Sequence, residues 1–69
     1  MIHVLDESEW YGDRTRVYYA DTVQEFTDSR FGALPTKDAR NNVYEDYLES
    51  YTKDDRGGVR FTVVIPSCR

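Results

Sequence analysis

The stretch of the sequence that decides the fold is residues 36–55, TKDARNNVYEDYLESYTKDD. Its apolar and aromatic side chains recur every three or four residues, which is the spacing of one face of an α-helix. Thr36 can cap the first turn, and Asp38 suits the positive end of the helix dipole. We therefore predict a helix from Thr36 to Asp55. The residues on its apolar face are Val43, Tyr44, Tyr47, Leu48 and Tyr51.

A shorter helix is predicted before this one, beginning at Thr22. Thr22 and Glu25 have the spacing of a capping box, in which each side chain accepts a hydrogen bond from a backbone amide of the first turn. Phe26 and Phe31 would belong to its buried side. Gly32 is a natural residue at which to end the helix.

Strands are predicted on both sides of this helical middle. Residues 2–5 and 14–20 are rich in β-branched and aromatic residues, and the turn dipeptide Gly12-Asp13 lies between them. We expect these two strands to pair antiparallel. Residues 59–65, VRFTVVI, alternate apolar side chains onto one side, which is typical of a half-buried strand.

These elements predict an α+β fold in the order β-β-α-α-β. A small antiparallel sheet of about three strands would be covered on one face by two helices. A chain of 69 residues has room for one domain, so we expect a single small acidic domain spanning residues 1–69. The expected core is Ile2, Val4, Val17, Tyr19, Phe26, Tyr44, Leu48, Phe61, Val63 and Ile65.

Charge is unevenly distributed along the chain, whose formal net charge is −4. Residues 38–55 contain six acids and two bases, and residues 6–13 contain four acids and no base. Phosphate backbones require clustered Lys and Arg, so we expect no direct binding of nucleic acid. A basic surface on a partner protein fits better, because complementary charge speeds encounter. The alternative interpretation is that these charge runs are ordinary solvated surface.

The residue types that catalysis and metal binding need are scarce. His3 and Cys68 are the only histidine and the only cysteine, so neither a zinc site nor an activated nucleophile is expected. We predict no catalytic residue, no metal site and no cofactor, and we expect that the protein is not an enzyme. The single cysteine indicates a reducing compartment, and no apolar run approaches the roughly 20 residues of a membrane span, so we expect a cytoplasmic protein without membrane contact.

The predicted helix 36–55 provides the candidate binding surface. Its carboxylates lack basic partners, and Glu45 and Glu49 have the spacing of neighbours on a helix. Tyrosine suits interfaces because it buries a large area and keeps a polar tip. Trp10 and Tyr11 lie in an acidic loop before the second strand, and among these and the other aromatics of the chain we expect at least two or three to be solvent-accessible. The predicted partner-binding residues are Asp38, Glu45, Asp46, Glu49, Tyr47 and Tyr51.

In size and composition the chain is similar to small phage or mobile-element proteins that disable host machinery, anti-CRISPR proteins among them. No motif is shared, and this similarity assigns no site residue. We predict a non-catalytic protein that binds its partner stoichiometrically, as an inhibitor of a nucleic-acid-handling host complex would, and that acts in the host cytoplasm if the chain is viral. The alternative is a small structural or assembly subunit that forms a homodimer.

Overall fold

The computed structural model describes residues 1–66, which build one antiparallel sheet of four strands. One short helix and a 3₁₀ turn follow the second strand. In space the strands are ordered β1-β2-β4-β3, so the last strand lies between the second and the third. The elements are β1 (His3–Trp10), β2 (Asp13–Ala20), α1 (Val23–Asp28), the 3₁₀ turn (Arg30–Ala33), β3 (Tyr47–Lys53) and β4 (Val59–Ile65).

The first two strands form a long hairpin that is closed by two residues, Tyr11 and Gly12. Both residues have positive φ, 54° and 88°, which is the signature of a type I′ turn. This turn is common in hairpins because its twist matches that of the flanking strands. Trp10 and Asp13 face each other across the turn, which therefore lies one residue earlier than the sequence predicted.

β1 continues well beyond the predicted segment 2–5. The added residues are acidic, which suggested a loop, but they lie opposite bases of β2. Glu7 faces Arg16 and Glu9 faces Arg14. The Oε2 atom of Glu7 is 2.9 Å from Nη2 of Arg16. Cross-strand pairs of opposite charge stabilise a sheet by about 0.2–1 kcal/mol each, so the acidic segment is compatible with a strand once β2 is its neighbour.

The core lies on the face of the sheet that α1 and the 3₁₀ turn cover. Tyr18 and Ala20 of β2 are buried there, together with alternate residues of β4. Phe26 of α1 stacks on Phe61 with 3.8 Å between the ring centroids, and Phe61 is only 1% exposed. Phe31 of the 3₁₀ turn packs against the same cluster. These aromatic contacts attach the helical segment to the sheet.

The capping box predicted for the first helix is present with one difference. The Oγ1 atom of Thr22 accepts a hydrogen bond from the amide of Glu25 at 3.0 Å, as predicted. The Glu25 carboxylate accepts from the amide of Asp21 at 2.8 Å, one residue before the cap. The helix is shorter than predicted and ends at Asp28, after which Ser29 caps the 3₁₀ turn.

The predicted α+β fold with two helices on a sheet is wrong. The described part of the chain is mostly a four-stranded antiparallel sheet with one short helix, because residues 36–55 form no helix. Residues 36–46 are a loop of successive turns, and β3 follows directly after them. The third element of the predicted sheet, residues 59–65, is confirmed as β4 with the same bounds.

Local hydrogen bonds show why the predicted helix stops after one turn. The carbonyl of Thr36 accepts hydrogen bonds from the amides of Ala39 and Arg40, both at 3.1 Å, so a helical turn does begin. The side chain of Asn42 then accepts from the amide of Tyr44 at 2.8 Å. Asparagine competes with the helix in this way, because its side chain captures an amide that a continuing helix would use.

A β-bulge explains why the sequence of β3 has helical spacing. Leu48 lies opposite Val63 and Tyr51 lies opposite Phe61, and these two β4 residues belong to the core. The register shifts between Leu48 and Ser50, so one extra residue is inserted there. Leu48 and Tyr51 therefore point to the same face although they are three residues apart. A bulged strand and a helix give the same spacing over so short a distance.

The predicted core is correct in part. The faces of β2 were reversed, because Tyr18 and Ala20 are in the core while Val17 and Tyr19 point to the opposite face. Towards the end of β2 both faces have apolar or aromatic residues, Val17 and Tyr19 on one and Tyr18 and Ala20 on the other, so alternation alone did not distinguish them. Phe26, Phe61 and Val63 are confirmed as buried, and Ile2, Leu48 and Ile65 are partly buried against them. Val4 and Tyr44 are exposed.

Candidate functional site

A cleft of about 550 Å³ opens where the β1–β2 turn, the start of β3 and the end of β4 meet. The turn forms one wall and the loop 36–46 forms the other. Tyr47 and Val64 alternate with core residues, so they point to the opposite face of the sheet, yet both are buried. The lining residues are Tyr11, Asp13, Lys37, Arg40, Val43, Tyr44, Tyr47, Val64 and Pro66.

Four exposed apolar or aromatic side chains line this cleft or adjoin a residue that lines it, and we call them the aromatic patch. Their exposed fractions are 72% for Trp10, 89% for Tyr11, 61% for Val43 and 53% for Tyr44. The last three line the cleft. The Trp10 ring is edge-on to that of Tyr11, with 4.8 Å between centroids, so it adjoins the same surface. Two segments distant in the chain thus present one aromatic surface.

The backbone at the turn is strained for the residue that occupies it. Tyr11 is the one non-glycine residue with positive φ among residues 1–66. A side chain with a Cβ atom costs roughly 1–2 kcal/mol in this left-handed conformation, whereas Gly, Asn or Asp tolerate it. The Tyr11 ring contributes little packing energy to the fold, because it is 89% exposed. Strain that the fold does not need is a reason to suspect a function for the side chain.

Two cationic side chains enter the cleft from the loop 36–46. The guanidinium of Arg40 lies over the ring of Tyr47, 4.8 Å from its centroid. This contact positions the flat side chain along the wall of the cleft. Lys37 is exposed and also lines the cleft. Neither base forms an ion pair within residues 1–66.

The six predicted partner-binding residues do not share one surface, because the helix that would have aligned them is absent. Tyr47 is buried beneath Arg40, and Tyr51 is 55% exposed on the core side of the sheet, with its ring 5.3 Å from that of Phe61. Asp38, Glu45 and Asp46 lie in the loop, and Glu49 lies at the bulge of β3. Whether any of them contacts a partner stays a prediction.

A second cluster of charges, around Asp54, has a structural role. This carboxylate is 2% exposed and accepts hydrogen bonds from Nε of Arg56 and Nε of Arg60, both at 2.7 Å. Arg56, through its side chain and its amide, and then Arg60, hold the pKa of Asp54 well below its usual range. The Arg56 guanidinium also covers the ring of Tyr19. These contacts close the turn between β3 and β4.

Comparisons with known proteins identify no relative. No protein-family model matches the chain, and neither the curated proteins nor the solved structures give a significant match. Within residues 1–66, no three His, Cys, Asp or Glu side chains are grouped so that they could hold a metal ion. None of the described helices is long and apolar enough to cross a membrane. Cys68 lies outside the described residues.

The interpretation of the sequence predicted only part of this surface. It indicated that at least two or three aromatic side chains would be accessible, without saying which, and Trp10, Tyr11, Tyr44 and Tyr51 are exposed. It assigned Val43 and Tyr44 to the apolar face of a helix, and it attached no importance to Arg40. The signal that could have corrected it is the pair Asn41-Asn42, since asparagine favours turns over helix interiors.

Proposed function

We propose that the chain is a non-catalytic binding protein that associates stoichiometrically with a partner protein through the aromatic patch. The observation that supports this most directly is the exposure of Trp10, Tyr11, Val43 and Tyr44 on one side of the molecule. Contiguous exposed apolar surface is uncommon on monomeric proteins unless it binds something. Tryptophan and tyrosine are also the residues most often found to dominate binding energy at interfaces.

The strained turn adds a second argument for this surface. Tyr11 occupies a left-handed conformation that Asn or Gly adopts at lower cost, yet it places an aromatic ring at the tip of a hairpin. The two-residue turn keeps that tip short and holds the ring beside Trp10. A tyrosine has only two side-chain torsions to immobilise, so it loses little entropy on binding, which favours a stable complex.

Stoichiometric binding is the mode of action that was also expected from the sequence, but the proposed contact surface is different. The aromatic patch replaces the acidic helix 36–55, which does not exist. The prediction that the target is a nucleic-acid-handling complex remains a prediction from size and composition.

Homodimer formation through a sheet edge is less favoured by the geometry. β1 and β3 are the two edge strands, and each has a register shift, after Val4 and after Leu48. The amide of Leu48 donates to the carbonyl of Pro35 at 2.8 Å, so the start of β3 is already covered. Bulges, charges and covering segments are the means by which natural proteins prevent pairing between exposed edges.

Photocrosslinking from two tyrosine positions tests the proposal. Tyr44 lies in the aromatic patch, whereas Tyr51 is equally exposed on the opposite face and was one of the residues predicted from sequence. Each would be replaced by p-benzoylphenylalanine, and the chain would be expressed in the organism that encodes it. We expect one saturable heterologous adduct from position 44 and none from position 51.

A second substitution connects this adduct to the patch. Trp10→Ala in the position 44 variant should lower the apparent affinity by about 30-fold, which corresponds to the loss of one aromatic anchor worth about 2 kcal/mol. Circular dichroism of the two variants should coincide. Equal crosslinking from positions 44 and 51 would refute the proposed surface, and an adduct of twice the chain's mass would support the homodimer alternative instead.

A further inference from the structure

The charge of the cleft is opposite to that of the whole chain. The loop 36–46 contains two bases and three acids, and both bases line the cleft while none of the three acids does. Glu45, for example, accepts a hydrogen bond from the amide of Asn41 at 2.6 Å. Asp13 is the one acid among the lining residues, so the lining has two cations and one anion. A chain with net charge −4 thus presents a locally cationic cleft.

The guanidinium of Arg40 is held in a way that leaves its donors available. The ring of Tyr47 packs against one face of the guanidinium, with 4.8 Å between Cζ of Arg40 and the ring centroid. No carboxylate within residues 1–66 pairs with the N–H groups of Arg40. Arginine in this setting presents a rigid fork of donors that matches the two oxygens of a carboxylate. Lys37 adds an exposed positive charge on the same wall. The pair is therefore arranged to receive a carboxylate.

The rest of the lining is apolar or aromatic. Val43 and Tyr44 follow the two bases in the chain, and Val64 and Pro66 line the cleft from the end of β4. A bound group would therefore need an apolar or aromatic part beside its negative charge. A peptide with alternating acidic and apolar side chains has a carboxylate and an apolar group on neighbouring residues, so it meets this requirement.

A peptide is favoured over a nucleic acid by the charges around the cleft. Asp13 lies in its wall, and Lys37 and Arg40 are the two cations among the lining residues that the structure describes. Affinity for nucleic acid depends on neutralising many phosphates at once, and two bases beside one acid are too few for that. One or two carboxylates of a peptide can lie close to the two bases, within the Debye length of about 8 Å over which charges attract each other at physiological salt.

We infer that the cleft binds an acidic segment of the partner protein, with a carboxylate paired to Arg40 and Lys37 and an adjacent apolar side chain against Val43 and Tyr44. This inference rests on the proposed function and specifies the chemistry of the partner. It differs from the sequence expectation of a basic partner surface, which depended on the acids of the absent helix.

Two defined peptides test this inference without knowledge of the partner. The probes are Ac-Glu-Leu-Glu-Tyr-Glu-amide and its uncharged counterpart Ac-Gln-Leu-Gln-Tyr-Gln-amide, titrated into the ¹⁵N-labelled chain and followed by NMR. We expect the acidic peptide to shift the amide signals of Lys37, Arg40 and Tyr44. It should bind about fivefold more tightly than the uncharged peptide, which is the preference expected from one or two partly exposed ion pairs.

Charge variants of the protein complete the design. Lys37→Gln together with Arg40→Lys should reduce the preference for the acidic peptide, and Lys37→Gln together with Arg40→Gln should abolish it. Lys53→Gln is the matched control, because this exposed lysine is in β3, outside the cleft. Its preference should equal that of the unmodified chain. The amide spectrum of each variant reports whether the fold is retained.

The possible failures are distinguishable. If both peptides bind the cleft equally, or if the acidic peptide shifts no cleft signal at millimolar concentration, the inference is overturned, while crosslinking from position 44 decides the proposed function independently. Tighter binding of an oligothymidylate than of the acidic peptide would also overturn it, since the ligand class would then be nucleic acid. If the preference for the acidic peptide persists in the double Gln variant, the charge is recognised outside the cleft and the inference is overturned.

Discussion

Tyr11 is the residue at which the stability and the proposed function of this protein oppose each other. It occupies the first position of a type I′ turn with φ of 54°, followed by Gly12. Tyr11→Asn would create the Asn-Gly pair that such turns favour most. We expect this variant to be more stable than the natural chain and to bind the partner less well, because the exposed ring is lost.

The size of the effect follows from two opposing contributions. Relief of the left-handed strain should stabilise by about 1 kcal/mol, the lower end of the cost for a residue with a Cβ atom. Loss of the edge contact with Trp10 should cost about 0.5 kcal/mol, because both rings are exposed. The net gain of about 0.5 kcal/mol corresponds to a rise in Tm of about 2–4 °C for a domain of this size.

Tyr11→Ala is the matched control, because it also removes the ring but keeps a Cβ atom in the strained conformation. The Asn variant should melt about 4–8 °C above the Ala variant, which isolates the backbone contribution of about 1 kcal/mol. Thermal unfolding followed by circular dichroism measures this difference. Both variants should lose crosslinking from position 44 to the same extent. If the Asn variant is no more stable than the Ala variant, the turn is not strained and the argument from Tyr11 to function is wrong.

Three further predictions concern the fold itself. Phe61→Ala should lower the free energy of unfolding by about 3–5 kcal/mol, since this ring is fully buried, and an unchanged urea midpoint would contradict the described core. Gly58→Ala should destabilise by about 1–3 kcal/mol because a Cβ atom there meets the ring of Tyr19 and the backbone carbonyl oxygen of Ala20, and equal melting temperatures would show that both move aside freely. The pKa of Asp54 is lowered by its two arginine partners, so its stabilising contribution is present above its ordinary pKa of 3.8 and is lost as pH falls below that value. Asp54→Asn should therefore lower the urea midpoint at neutral pH and flatten its dependence on pH in the acid range, and parallel pH profiles for the two proteins would refute the ion-pair assignment.

The elements that were predicted correctly are those whose signals are local. β4 has its full pattern within seven residues, between Gly58 and Pro66. The cap at Thr22 depends on contacts within one helical turn. The hairpin needs only two compatible strands and a glycine near the turn. In each case the residues that decide the structure are neighbours in the chain, so the sequence contains the necessary information.

The part of the segment 36–55 that forms β3 was decided by tertiary structure. The spacing of Leu48 and Tyr51 fits both a helix and a bulged strand, and the choice depends on β4, which offers a hydrogen-bonding edge and the buried partners Val63 and Phe61. Residues later in the chain therefore determine the conformation of earlier ones. The acidic part of β1 is a similar case, because the bases of β2 compensate its charges.

The sequence by itself determined that the chain is acidic, rich in tyrosine and poor in catalytic residue types, and it indicated that at least two or three aromatic side chains are accessible. Only the tertiary structure brought Tyr11, Arg40 and Val64 to one cleft and separated the six residues of the predicted binding surface. The physical reason is that composition and periodicity depend on residues close in the chain. A binding surface depends on which strands pair, and strand pairing is a property of the folded molecule.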